Sequence, residues 1–248
     1  MLLKSKVAVI TGAATGIGQG VAQLFAQEGA AVLMLDRNET QNQASAAAIE
    51  SAGGRALAIA LDVRDRAAID AAVERSQKEF GPADILINNA GIFPRQRFVG
   101  MKPEQWDEMQ EVNVKSIFHM TQAVVPQMIA RKTGKIVNIA SVTFHLGTAN
   151  MAHYVASKGG VIGLTRALSR ELAEYNIFVN CVTPGAIQTE SEKHFVSPTE
   201  EQDFLTRQSI KRRLGPLDIA RVCLFLSCEL SDGMTGQSLN VDGGWYMH

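Results

Sequence analysis

Short apolar runs alternate with longer helical patterns from one end of this chain to the other, and that rhythm constrains the fold more than any other feature. The runs are Val7-Ala8-Val9-Ile10, residues 31–35, 56–61 and 85–87, Ile136-Val137-Asn138-Ile139, residues 178–182 and Ser238-Leu239-Asn240-Val241. Most span four to six residues and are nearly continuously apolar, as strands buried on both faces of a parallel sheet read. Helical patterns fall between them at roughly 17–28, 39–52, 65–79, 103–131, 151–175 and 217–228. Parallel neighbours need a crossover helix, so the alternation predicts an α/β fold: one doubly wound parallel sheet of seven strands with helices on both faces. No linker, repeat or low-complexity block divides residues 1–248, and a single domain is expected.

One stretch breaks the rhythm. From Thr183 to about Gly215 the chain leaves the carboxyl end of a strand and carries only a short helical pattern near 199–211. Open sheets place their ligands at that edge, so a substrate lid is expected over about 184–215.

Charge narrows the function classes. Lys and Arg total 24 against 25 Asp and Glu, a net charge of −1, which leaves no basic excess for nucleic acid. No apolar run reaches the ~18 residues of a membrane helix, and the start is too short before its first apolar run to read as a signal peptide. Cys181, Cys223 and Cys228 form no Cys-x-x-Cys pair. The histidines His119, His145, His153, His194 and His248 have no metal-ligand spacing, so neither disulfides nor a metal site is expected. A soluble cytoplasmic protein is the expectation.

The first strand runs into Thr11-Gly12-Ala13-Ala14-Thr15-Gly16-Ile17-Gly18, and a helix follows. Glycines at such a turn let backbone N–H groups approach a pyrophosphate, and the helix N-terminus adds partial positive charge. The spacing is G-x-x-x-G-x-G rather than G-x-G-x-x-G. Eighteen residues beyond Gly18, Asp36 closes the second strand, where a carboxylate binds ribose hydroxyls and repels a 2′-phosphate. NAD is therefore favoured over NADP, with the adjacent Arg37 as the feature that would favour the latter. Asp62-Val63 and Asn88-Asn89-Ala90-Gly91 follow the third and fourth strands, with Asp62 placed to accept from an adenine amino group and Asn89, Ala90 and Gly91 passing close to the cofactor.

At the other end of the sheet, Ser141 ends the fifth strand and Tyr154-x-x-x-Lys158 follows thirteen residues later. Helical residues four apart share a face about 6 Å apart. A phenol with its pKa near 10 is a poor base at pH 7, whereas an ammonium about 5 Å away favours the phenolate by roughly 3 kcal/mol, about two pKa units. Tyr154 is thus the expected general acid/base for hydride transfer, Lys158 its activator and a ribose ligand, and Ser141 the group that orients the substrate oxygen.

Together, Thr11-Gly12-x-x-x-Gly16-x-Gly18, Asn88-Asn89-Ala90-Gly91, Asn113, Ser141, Tyr154-x-x-x-Lys158, Pro184-Gly185 and Val241-Asp242-Gly243-Gly244 resemble the one-domain form of the short-chain dehydrogenase/reductase family, with its Rossmann-like fold. The resemblance implies that Asn113 is a fourth catalytic residue, supporting a proton relay. It also implies that Pro184, Gly185, Ile187 and Thr189 contact the nicotinamide end. A homotetramer built on the helices at 103–131 and 151–175, with Trp245-Tyr246-Met247 buried against a partner, is implied as well. Substrate choice is expected to rest on residues 93–98 and 143–150, His153 and the lid, with Arg95, Arg97 and His145 as candidate contacts. Phe93, Phe98 and Phe144 hint at an apolar or ring-bearing substrate. The expected activity is NAD-dependent interconversion of a secondary alcohol and a ketone, or of a ring-bearing alcohol and its carbonyl. A 3-oxoacyl-carrier-protein reductase type of ketoreductase and a non-catalytic NAD-sensing protein are the alternatives.

Overall fold

Seven parallel strands form one sheet in the order β3-β2-β1-β4-β5-β6-β7. They are β1 (Val7–Thr11), β2 (Ala31–Asp36), β3 (Arg55–Ala60), β4 (Ile85–Asn88), β5 (Gly134–Ile139), β6 (Ile177–Pro184) and β7 (Ser238–Val241). This computed structural model describes residues 1–190, 192 and 196–247, so His194, His248 and part of the expected lid lie outside the described residues. Each apolar run of the sequence became a strand because both its faces are covered. In β1, Ala8 and Ile10 join one core layer with Phe25 and Ile219, while Val9 joins the other with Leu33 and Ile69.

The helices fall where the patterns place them, with instructive exceptions. α1 (Gly16–Gln27), α2 (Glu39–Ser51) and α3 (Arg66–Phe80) follow the first three strands. Asn38 and Asp65 cap α2 and α3 by accepting from the Gln41 and Ala68 backbone N–H groups. The expected helix over 103–131 is divided into α4 (Pro103–Gln110) and α5 (Ser116–Arg131) by one π-helical segment, Glu111–Lys115. Periodicity cannot see that widening, which turns Asn113 inward. Residues 143–146 form a short helix, α6 (Thr143–Leu146), that the helical patterns did not include. α7 (Ala152–Glu171) ends earlier than the sequence pattern and passes through a 3₁₀ turn. Within the segment expected as a lid, α8 (Pro198–Arg207) is shorter than 199–211, and α9 (Pro216–Ser227) packs against α1. No helix among the described residues is long and apolar enough to cross a membrane.

The sheet order reverses at β1, whose neighbours β2 and β4 send their chains to opposite faces, and a crevice opens at the carboxyl ends of β1 and β4. Gly18 enforces close packing there: a Cβ at that position would overlap the Gly12 carbonyl and come within 2.6 Å of Asn89 Nδ2. Gly18→Ala is therefore expected to lower the unfolding free energy by about 2 kcal/mol, in the overpacking range, and to weaken dinucleotide binding. Urea unfolding and NADH fluorescence titration check both; an unchanged midpoint would refute the packing argument.

Candidate active site

The crevice is tied together before any ligand is considered. Thr11 Oγ1 accepts from the backbone N–H groups of Asn89 and Ala90 at 2.9 and 3.0 Å, and Asn89 Nδ2 donates to the Thr11 and Gly12 carbonyls. Gly12 and Gly16 both hold positive φ, +63° and +58°, which a residue with a Cβ adopts only with strain. Asp36 Oδ2 accepts from Ala14 N at 3.0 Å and Oδ1 from Asn38 N at 2.9 Å, so the carboxylate braces the glycine loop as well as facing the crevice.

A cavity of about 390 Å3 runs from this loop across the sheet edge. Gly12, Thr15, Gly16, Ile17, Asp36, Asn89, Ala90 and Gly91 line one end, and Ser141, Tyr154, Lys158, Pro184, Gly185, Ile187 and Thr189 line the other. A second space of about 120 Å3 is bounded by Asp36, Arg37, Asp62 and Val63 and shares Gly12, Ala90 and Gly91 with the first. Most of the expected cofactor residues thus meet along one continuous wall. Thr11 and Gly18 do not line it: Thr11 is the tie described above and Gly18 a packing position. The Asp62 carboxylate is already held by Arg64 (Nη2 to Oδ2 2.5 Å), which keeps it below the usual carboxylate range. The expected adenine contact must therefore compete with that guanidinium.

Tyr154 and Lys158 share one face of α7, and Lys158 Nζ lies 5.5 Å from the Tyr154 ring centre. Lys158 Nζ donates to the Ile139 carbonyl at 2.8 Å, anchoring α7 to the end of β5. The geometry meets the expectation; the electrostatics correct it. Burial pushes the Tyr154 phenol up to about 12, with a Ser141 hydrogen bond pulling the other way, and burial pushes Lys158 down to about 8. Desolvation outweighs the ammonium's pull on the phenol, because the cavity wall withholds water from both charged forms. Without further positive charge, Tyr154 is a proton donor at neutral pH. Ser141 Oγ accepts from Thr143 N and from Thr143 Oγ1 at 3.2 and 3.0 Å, a consequence of the unexpected α6 turn.

Asn113 does not line the cavity. Its Oδ1 accepts from Ile92 N at 2.8 Å, and its Nδ2 donates to Ile92 O at 2.9 Å and Ser157 Oγ at 3.1 Å. These bonds fix the chain beyond Gly91 beside Lys158. A Cβ on Gly91 would lie 3.2 Å from Asn113 Oδ1 and 3.7 Å from Lys158 Nζ, so both residues crowd the same spot.

Of the substrate candidates, Phe93 and Arg95 line the cavity, and Arg95 also pairs with Glu200 of α8 at 2.6 Å. Arg97 and Phe98 do not, and Phe98 is 73% exposed. Phe144 packs over Gly159 instead of facing inward. His153 is buried outside the cavity wall, and His145 stacks on Tyr246 at 5.0 Å. Glu192, Val196 and Phe204 of the expected lid line the cavity, whereas sequence reasoning missed Met151 and Trp245 as lining residues. Trp245 was expected against a partner subunit, yet it faces the cavity of its own chain. The paired Gly243-Gly244 was the signal for a chain reversal that could have found it.

A family model described as enoyl-(acyl carrier protein) reductase matches residues 12–246. The 3-oxoacyl-[acyl-carrier-protein] reductase FabG of Thermotoga maritima is 41% identical over 98% of this chain and 99% of its own. The chain belongs to the short-chain dehydrogenase/reductase family. The (2S)-[(R)-hydroxy(phenyl)methyl]succinyl-CoA dehydrogenase subunit BbsD of Thauera aromatica is 40% identical, over 98% of each chain. A solved 7α-hydroxysteroid dehydrogenase, complexed with NADH and 7-oxo glycochenodeoxycholic acid, superposes with a TM-score of 0.95 at 36% identity, covering 98% of this chain and 94% of that one. The protein is accordingly an oxidoreductase of this family, acting between hydroxyl and keto groups with a nicotinamide dinucleotide.

The buried lysine makes stability depend on pH. With a folded pKa of about 8 against 10.5 for the free side chain, the unfolded state binds more protons at this group between those values, so its contribution to stability rises with pH through that window, while Cys223 and Tyr154, pushed up to about 12 by burial, act the other way toward its top. Between pH 7 and pH 10 the gain is about 2 kcal/mol. Lys158→Met is expected to lose this rise. Urea midpoints of both proteins across that range measure it, and parallel pH profiles would refute it.

Proposed function

We propose that this enzyme interconverts a secondary alcohol and a ketone, or a ring-bearing alcohol and its carbonyl, with NAD as cofactor. The observation that carries the reading is that Ser141, Tyr154 and Lys158 line the same cavity as Asp36 and the positive-φ glycine loop. The loop fits a pyrophosphate: Gly12 and Gly16 line the cavity and hold the positive φ that turns the chain tightly into the N-terminus of α1. Asp36 is placed to accept from the adenosine ribose hydroxyls, and Lys158 to donate to the nicotinamide ribose. Ile187 and Thr189 hold the carboxamide side. When bound, the nicotinamide would supply the hydride for ketone reduction and accept it in alcohol oxidation, for which its oxidised ring would carry a positive charge.

The chain's own residues handle the proton. Ser141 holds the substrate oxygen against Tyr154 Oη. In ketone reduction, the phenol, pushed up to about 12 by burial, donates its proton to the developing alkoxide. In alcohol oxidation the same oxygen accepts that proton, and it needs positive charge close by to do so. Lys158, pushed down to about 8, is still mainly protonated at pH 7 and provides part of that charge. Asn113 keeps the chain at Ile92 in place so that Gly91 and Lys158 meet the cofactor at a fixed distance.

A second reading has its own support. Arg37 and Arg64 both bound the adenosine-end space, and guanidinium groups there suit a 2′-phosphate. That favours an NADP-linked 3-oxoacyl-carrier-protein reductase, in keeping with the FabG relatives. Asp36 opposes it, since its carboxylate is fixed toward the loop by Ala14. We assign the exposed faces of Trp106 and Phe118, on α4 and α5, to a homotetramer.

Two variants test the assignment. Tyr154→Phe should lower kcat by roughly 10²–10⁴-fold while NADH affinity stays within threefold, the span expected when only a general acid/base is lost. Retained turnover removes Tyr154 from the chemistry. Asp36→Ala should reduce the NAD/NADP ratio of kcat/KM about tenfold, the equivalent of ~1.4 kcal/mol in discrimination. A static ratio, read from absorbance at the reduced-nicotinamide band with both cofactors, defeats the NAD assignment.

A further inference from the structure

Several groups in the cavity wall take no part in the proton chemistry, and they belong to one cluster. After β7 the chain reverses at Gly243 and Gly244, with φ of +72° and +77°. Asp242, 3% exposed, organises the reversal. Its Oδ1 accepts from Gly244 N and Trp245 N at 2.9 and 3.2 Å, and its Oδ2 from Tyr246 N and Asn240 Nδ2 at 2.7 and 2.9 Å. Four N–H donors converging on one buried carboxylate make the tail a fixed element rather than a loose end. Tyr246 then stacks on His145 of α6, with ring centres 5.0 Å apart and 14° between planes.

The result is that Trp245 lies in the cavity wall beside Phe204 of α8, 5.4 Å between ring centres at 41°. Phe204 is backed in turn. The Arg213 guanidinium carbon sits 5.3 Å from its ring centre, and Arg213 Nη2 donates to both carboxylate oxygens of Glu192, 2.6 Å to Oε1. The Glu192–Arg213 pair thus supports the ring wall and leaves little uncompensated charge behind it.

We propose that the C-terminal tail determines substrate specificity. Trp245, set in place by Asp242 and flanked by Phe204, is a platform for a flat ring, and the favoured substrate is an alcohol or ketone whose reacting carbon is bonded to an unsaturated ring. The inference rests on the oxidoreductase reading above and adds its substrate class. Two tilted aromatic rings offer a face and an edge, the arrangement in which a third ring gains more than its buried area alone provides. Met151 lines the same cavity, and a thioether also packs well against rings. A flexible alkyl chain placed there loses rotamer freedom without the ring–ring gain. Trp245 is the contact; Asp242 is a positioning residue that acts through it.

The test uses matched ketones reduced with NADH: acetophenone against cyclohexyl methyl ketone, and 1-tetralone against 1-decalone. The wild type should favour the unsaturated member of each pair in kcat/KM. Trp245→Leu, which keeps apolar bulk without a π-face, should lower that preference about tenfold, mostly through KM, while Trp245→Phe retains it within threefold. Asp242→Asn keeps one acceptor oxygen and should lower the preference part of the way, with NADH affinity within twofold of wild type. If the preference is the same in wild type and Trp245→Leu, or if Asp242→Asn slows both members of a pair equally, the platform is wrong although the oxidoreductase reading stands. If the wild type reduces no ketone with either NADH or NADPH, both fall together.

Discussion

Thr11 and Asn89 tie the carboxyl ends of β1 and β4 across the point where the sheet changes direction, and the dinucleotide end of the molecule stands on that tie. At such a point the two chains leave for opposite faces, and their terminal carbonyl and N–H groups lose the ladder partners they had within the sheet. The threonine hydroxyl and the asparagine amide replace those partners. Because the Asn89 amide closes on the Gly12 carbonyl, Gly18 has no room for a side chain, and the turn into α1 stays tight. Asp36 then holds the same loop from the other side through Ala14. The shape of the glycine loop and the packing of α1 are thereby set by the same few atoms.

At the chemistry end the governing term is desolvation. Lys158 reaches into the cavity wall with one carbonyl as its hydrogen-bond partner, and burial makes its proton easier to lose while making the neighbouring phenol's harder. The two shifts bring the groups' proton affinities into an unusual order, with the ammonium the stronger acid. A site in that state is ready to donate to a carbonyl and needs added positive charge to run in the other direction. Asn113 ties the same region together through its amide, which bonds Ile92 and Ser157.

Local signals explain which features were legible. The seven strands read as continuous apolar runs because both sheet faces are covered, and Tyr154 and Lys158 read as one face because a helix repeats every 3.6 residues. Trp245 and Phe204 gave no such signal. They are far apart in sequence and meet through a tail whose course depends on Asp242 finding four donors. Asn113 was legible only through the family resemblance, because the π segment that holds it leaves the apolar pattern of 103–131 intact. His153 and Phe144 misled for the opposite reason: they neighbour the catalytic motif in sequence, but the turn of α7 and the α6 bend direct them away from the cavity.

By itself, the amino-acid sequence determined the strand–helix order, the glycine turn and the spacing of the phenol and the ammonium, because each depends on neighbours within a few residues. Tertiary structure alone decided the proton affinities of Tyr154 and Lys158, the burial of Asn113 and the ring wall of the substrate cavity. Desolvation and long-range packing depend on how much water the whole fold excludes and which distant chains it brings together, and neither quantity exists until the sheet has closed over the site.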